Sequence, residues 1–142
     1  MRYALLLILP LLLLGCERKA PEAATADSPA ESGTILDFPK DDSFLPQDWK
    51  VDPISAQITP IAPAEIAKAT EIVETGLAKY PPAVLGRFLN KVRVVKSLRF
   101  YDVGYGGTYM ANAKEVVLVY RSGFDDRGFE QRFHHEFSSL LL

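Results

Sequence analysis

Apolar residues recur at helical spacing in the middle of the chain, which predicts a helix over 63–80. A proline suits its first position, and the Pro81-Pro82 pair cannot continue it. A second, shorter helix is expected over 83–90. The inward-facing positions are Ile66, Ala69, Val73, Leu77 and Tyr80 in the first helix, and Val84, Leu85, Phe88 and Leu89 in the second.

The apolar period then shortens, and β-branched and aromatic residues indicate strands. These runs lie at 92–95, 98–103 and 115–120. Between the last two, the glycine-rich residues 104–111 predict a loop that leads into an exposed edge strand. From Phe129 the spacing is helical again. This order predicts an α+β domain in which two helices precede a small antiparallel sheet with short hairpins and a C-terminal helix.

A proline-punctuated segment, Thr34 to Thr59, precedes the first helix. It contains several large apolar side chains, among them Trp49, so it is too apolar for a solvated linker. We expect it to lie as an extended wrap across the domain, with Trp49 as an anchor. An aromatic residue of this kind is more often a packing residue than a ligand contact.

The N-terminus has the pattern of a bacterial secretion signal. Ala4 to Leu14 is an eleven-residue apolar segment after one positive charge, well short of the roughly 20 residues that span a bilayer. Leu13-Leu14-Gly15-Cys16 resembles the lipobox of bacterial lipoproteins, in which the cysteine receives a diacylglycerol and becomes the mature N-terminus. A plain signal peptide that happens to contain a cysteine is the alternative. Under the lipoprotein interpretation, Cys16 is the lipidation site, and acyl chains such as palmitate hold the protein in the bilayer.

These features divide the chain into a signal peptide at 1–15, a lipidated flexible tether at 16–33 and a folded domain at 34–142. The tether is rich in alanine and charge and has no large apolar side chain, so we expect it to be disordered. The whole chain has 142 residues, 48% of them hydrophobic, and a net charge of −2, which leaves no electrostatic footprint for nucleic acid. With one cysteine, a disulfide framework or a cysteine-rich zinc site is excluded.

The final helix contains the residues most suggestive of chemistry. Phe133-His134-His135-Glu136-Phe137 resembles the start of the zinc-binding helix in a family of zincin-like metallopeptidases that includes bacterial lipoproteins. That helix has the motif H-E-x-x-H. The resemblance covers roughly residues 60–142 and is specific only in this helix. It implies that His135 matches the first zinc ligand and Glu136 the general base.

The motif works because two histidines at i and i+4 lie on one helix face and bind one Zn²⁺, while the glutamate reaches the metal-bound water. Here the i+4 position is Ser139, a poor zinc ligand, so HEFSS is a degenerate form of the motif. The family's third ligand lies further downstream. Leu140-Leu141-Leu142 ends the helix without a glycine cap, and we therefore expect the domain to be truncated. Zinc, the cofactor that the resemblance implies, should bind no better than millimolar to micromolar, and peptidase activity is not expected of this chain.

Two other interpretations of the helix stay open. His135 and Ser139 could form a base and a nucleophile, although a serine within a helix usually bonds the i−4 carbonyl. Alternatively, His134 is solvated, His135 and Glu136 make ordinary hydrogen bonds, and the helix simply packs.

Two classes of function therefore remain at this point. The first is a membrane-anchored lipoprotein related to zinc metallopeptidases, with an incomplete active site and a peptide or other envelope component as its partner. The second is a non-catalytic envelope lipoprotein that binds a protein or a glycan. Either would be attached to the bilayer through acylated Cys16. The expected location is the bacterial cell envelope, at the outer membrane or another membrane facing the periplasm.

Overall fold

The computed structural model describes residues 35–123 and 125–142. The predicted signal peptide, the lipidation site Cys16 and the predicted tether at 16–33 lie outside the described residues. Within the described residues, no helix is long and apolar enough to cross a membrane. The elements are β1 Leu36–Asp37, a 3-10 helix Gln47–Trp49, β2 Gln57–Pro60, α1 Pro63–Leu77, α2 Pro82–Phe88, β3 Lys91–Phe100, β4 Val103–Tyr105, β5 Gly107–Met110, β6 Glu115–Val119 and α3 Asp126–Leu140.

The α+β class is confirmed, and the three predicted helices are present with shifted ends. α1 begins at Pro63 as expected and ends at Leu77, ahead of the Pro81-Pro82 pair. α3 begins at Asp126, earlier than Phe129, because the Asp125 side chain accepts a hydrogen bond from the Gly128 backbone N–H at 2.6 Å. This N-cap satisfies a donor that the helix itself leaves without a partner.

The prediction of an antiparallel sheet is wrong, because the sheet is mixed. β3 pairs in parallel with both β1 and β6, whereas β2 and β4 are antiparallel to β3, and β5 is antiparallel to β6. The runs at 92–95 and 98–103 were expected to be separate strands, but the chain continues through Ser97, whose hydroxyl donates to Thr59 Oγ1 at 2.7 Å. The chain returns along β4 and β5 before β6, so β6 has the direction of β3.

The reversal after β3 occurs at Tyr101 and Asp102, inside the run that was predicted to be a strand. Both have positive φ, 52° and 60°. Two consecutive residues in this region match the twist of an antiparallel hairpin, and they join β3 directly to β4. The sequence does not indicate this turn, because tyrosine favours strands and rarely adopts positive φ.

Each face of the sheet packs against a different part of the chain. One face supplies alternate strand residues such as Val94 and Leu118 to a core shared with α1 and α3. The other face supplies Val117 and Leu98 to a core covered by the segment before α1. Trp49 packs edge-on against Phe100, with ring centroids 5.4 Å apart, which confirms its predicted role as an anchor.

α1 and α3 approach closely at one glycine. Phe133 on α3 is fully buried, and a Cβ on Gly76 of α1 would lie 2.8 Å from its Cδ1 atom. We expect Gly76→Ala to lower the free energy of unfolding by about 1–3 kcal/mol through overpacking, despite the better helix propensity of alanine. Urea denaturation of the full chain measures this change.

Gly86 in α2 is the matched control, since a Cβ there meets no atom within 4 Å. Gly86→Ala should raise the free energy of unfolding by about 0.5–1 kcal/mol. Equal effects of the two substitutions would contradict the packing of α1 on α3.

Candidate functional site

The three phenylalanines of α3 determine which way its other side chains face. Phe129, Phe133 and Phe137 are buried, at i, i+4 and i+8, and they turn one stripe of the helix into the core. Glu136, next to Phe137, is buried with them, whereas His135 is exposed. The two residues that resemble the metallopeptidase motif therefore have different surroundings.

The Glu136 side chain lies against the glycine that begins β5. A Cβ on Gly107 would be 3.0 Å from Glu136 Oε1 and 2.9 Å from the Val117 carbonyl oxygen, so a larger residue would not fit without a shift. Burial raises the pKa of Glu136 above its ordinary value, against the smaller opposing effects of the His135 and Arg132 charges. Glu136 is thus a largely buried carboxyl with a raised pKa at the edge of the sheet, and a raised pKa is a common property of a general acid or base.

Arg132 is one helical turn before Glu136, and its side chain lies against Gly106, the residue before Gly107. A Cβ on Gly106 would be 1.5 Å from Arg132 Nη1, so only glycine allows this contact. The Gly106-Gly107 pair therefore permits α3 to bring a cation and a carboxylate against the edge strand. Sequence reasoning missed this role, although glycine within a strand is a known sign of close approach by another group.

His135 and Ser139 lie at i and i+4 on the same side of α3, but their functional groups are not joined. Among the described residues, His135 has no hydrogen-bond partner for its ring. The Ser139 hydroxyl donates to the His135 backbone carbonyl at 3.2 Å, as expected for a serine within a helix. The hydroxyl therefore makes no hydrogen bond to the imidazole that would have to activate it as a nucleophile.

His134 is partly buried and hydrogen-bonded, in contrast to the interpretation in which it is solvated. Its Nδ1 atom lies 2.8 Å from the Tyr80 hydroxyl, and its Nε2 atom lies 3.1 Å from Glu130 Oε1. The Lys79 ammonium also contacts Glu130 and, together with His134, lowers the pKa of that carboxyl. Burial raises the pKa of Tyr80, so its hydroxyl stays protonated beside the imidazole. His134 thus ties α3 to Tyr80 in the segment just after α1, and both of its ring nitrogens are already engaged.

The residues present do not by themselves fit a catalytic zinc centre, which takes three protein ligands. Across residues 35–123 and 125–142, no group of three His, Cys, Asp or Glu side chains is placed to hold a metal ion. His135 is exposed, Glu136 lies against Gly107, and Ser139 has a hydroxyl where the motif has an imidazole.

Comparison of the chain with protein-family models, with curated proteins and with solved structures gave no match.

Glu130 and Glu136 lie on the same helix, and their pKa values are shifted in opposite directions. Folding opposes the ionisation of Glu136. The free energy of unfolding therefore falls as the pH rises from the ordinary glutamate pKa through the raised pKa of the folded chain. We expect Glu136→Gln to unfold at a higher temperature than the unmodified chain at neutral pH. This gain should disappear below the ordinary glutamate pKa, about 4.5. Thermal denaturation as a function of pH measures it.

Glu130→Gln is the matched comparison, and its effect on the melting temperature should have the opposite sign. The lowered pKa of Glu130 means that its carboxylate stabilises the fold above the ordinary pKa, and that this contribution is lost as the pH falls. Glu130→Gln should therefore lower the melting temperature at neutral pH. A shift of the same sign in both variants would show that the two environments are not as described.

Proposed function

We propose that this protein is a lipid-anchored component of the bacterial cell envelope whose domain is a non-catalytic relative of the zinc metallopeptidases. The observation on which this proposal depends is the arrangement along α3. His135 and Ser139 are at i and i+4 on one accessible side, and Glu136 follows His135 at the edge strand. This is the arrangement of an H-E-x-x-H helix with a hydroxyl in place of the second imidazole.

Glu136 supports the relationship because burial opposes its charge more strongly than the nearby His135 and Arg132 charges favour it. Its carboxyl is buried against Gly107, and no hydrogen-bond partner for it is found in the described part of the chain. A buried ionisable group with a raised pKa is costly to folding and is more typical of a functional site than of a structural position. A glutamate that once served as a general base would have these properties.

The membrane part of the proposal depends on the N-terminal sequence. Leu13-Leu14-Gly15-Cys16 follows a short apolar segment, and Cys16 is the single cysteine of the chain. A thioether-linked diacylglycerol with a further acyl chain would supply the two anchors that stable membrane attachment needs. The net charge of −2 would not attract the protein to anionic lipid, so the acyl chains supply the attachment.

Restoring the second imidazole tests the proposed relationship. Ser139→His places two histidines at i and i+4 on α3, so we expect zinc affinity to rise by about tenfold or more, roughly 1.4 kcal/mol. His135→Ala in the Ser139→His background should abolish the gain. A competitive zinc titration of the full chain in detergent measures both effects. Hydrolysis of peptides should stay absent, because two imidazoles do not complete a three-ligand site.

His134→Ala in the same background is the matched control. It removes a neighbouring imidazole that is already bonded to Tyr80 and Glu130, so the gain in zinc affinity should persist. Melting curves verify that each variant is folded. Tight binding of one zinc by the unmodified chain, or no change with Ser139→His, would overturn the metallopeptidase relationship.

Lipidation is tested separately at Cys16. Cys16→Ser removes the thiol, so the variant should accumulate as an unprocessed precursor without incorporated palmitate, as measured by metabolic labelling and membrane fractionation. Ser28→Ala, a hydroxyl change in the predicted tether, should be processed normally. Normal cleavage and labelling of Cys16→Ser would contradict the lipoprotein assignment.

A further inference from the structure

A groove crosses the face of the sheet that lies opposite α1 and α3. It consists of two adjoining depressions, of about 610 and 200 Å³, which share Trp49 and Thr108. One wall is the segment around the 3-10 helix Gln47–Trp49, and the other is β5 with the turn that follows it. The larger volume falls within the roughly 300–1,000 Å³ of small-ligand sites.

The larger depression combines aromatic surface with polar side chains that have no partner. Trp49 is half-buried in the wall, and Phe44 lies beside it in the same depression. Asp48, Thr108 and Asn112 are among the residues that line the same depression. Within the described residues, none of these three makes a side-chain hydrogen bond or ion pair, so all are available to a ligand.

The charge of the groove limits the chemistry of its ligand. Asp48 is the one charged residue among those that line the two depressions, and no lysine or arginine is present to pair with an anion. Phosphate-bearing or carboxylate-bearing ligands would meet an uncompensated negative charge there. The groove therefore suits an uncharged ligand that has several hydroxyl groups.

We propose that this groove binds a neutral oligosaccharide. A pyranose ring has an apolar C–H face, which can stack on the Trp49 indole, and an edge of hydroxyl groups. The Asp48 carboxylate can accept hydrogen bonds from two hydroxyls, and the Asn112 amide can both donate and accept. A purely apolar ligand would leave all three polar side chains without a partner, which is unfavourable. The groove lies on the other face of the sheet from the α3 site, so ligand binding there does not depend on a metal or on the metallopeptidase relationship.

The single tryptophan of the chain provides a direct measurement, because Trp49 lies in the groove itself. Fluorescence excited selectively at tryptophan is followed while cellotriose, maltotriose or chitotriose is added to the full chain in detergent. We expect at least one of these neutral trisaccharides to give a saturable change in emission. Asp48→Asn and Asn112→Ala should each weaken its binding by about tenfold or more, as expected for a lost hydrogen bond to a polar ligand.

Glu74→Gln is the matched control for charge. It makes the same charge change as Asp48→Asn at an exposed position of α1, on the other face of the sheet, and should leave the affinity unchanged. Trigalacturonate, an acidic trisaccharide, and penta-alanine, an extended peptide, should bind at least tenfold more weakly or not at all.

Three results would overturn the proposal. The first is the absence of any emission change with all three neutral trisaccharides. The second is unchanged affinity in Asp48→Asn or in Asn112→Ala, or an equal loss in Glu74→Gln. The third is binding of trigalacturonate or penta-alanine as tight as that of the neutral sugars, which would assign the groove to an anionic or peptide ligand.

Discussion

The close approach of α3 to α1 and to the edge of the sheet determines the surroundings of every residue at the candidate site. Phe133 fills the space left by Gly76, whose Cβ would lie 2.8 Å from the ring. At the sheet, the Gly106-Gly107 pair removes the side chains that would otherwise separate β5 from the helix. With the helix held this close, its rotation is set by packing, and Glu136 is buried while its neighbour His135 is left outside.

A second contact reinforces that rotation. His134 is bonded to Tyr80, 54 positions earlier in the chain, and to Glu130 one turn before it. The Tyr80 ring also packs edge-on against Phe137, with centroids 4.8 Å apart. These contacts account for one histidine of the adjacent pair as structural. The other, His135, is exposed, and the proposed relationship to the metallopeptidases depends on it.

The two faces of the sheet are suited to different tasks. Helices pack on one face with three buried phenylalanines of α3, and the edge of that face contains the buried carboxyl of Glu136. An irregular segment covers the other face and leaves a groove beside Trp49. Because irregular segments pack less continuously than helices, they leave concave surface with side chains free to contact a ligand.

The periodicity of apolar residues in the sequence determined the α+β fold class and the positions of the helices. This is possible because helices and strands each have a characteristic spacing of inward-facing residues, whatever they pack against. The α1 stripe through Val73 and the helix containing Glu136 were predictable for this reason. Strand direction was not, since the parallel pairing of β3 with β6 depends on a turn at Tyr101 that resembles strand sequence. Only the tertiary structure decided the fates of His134 and Glu136, because their partners are remote in sequence and desolvation depends on the whole fold.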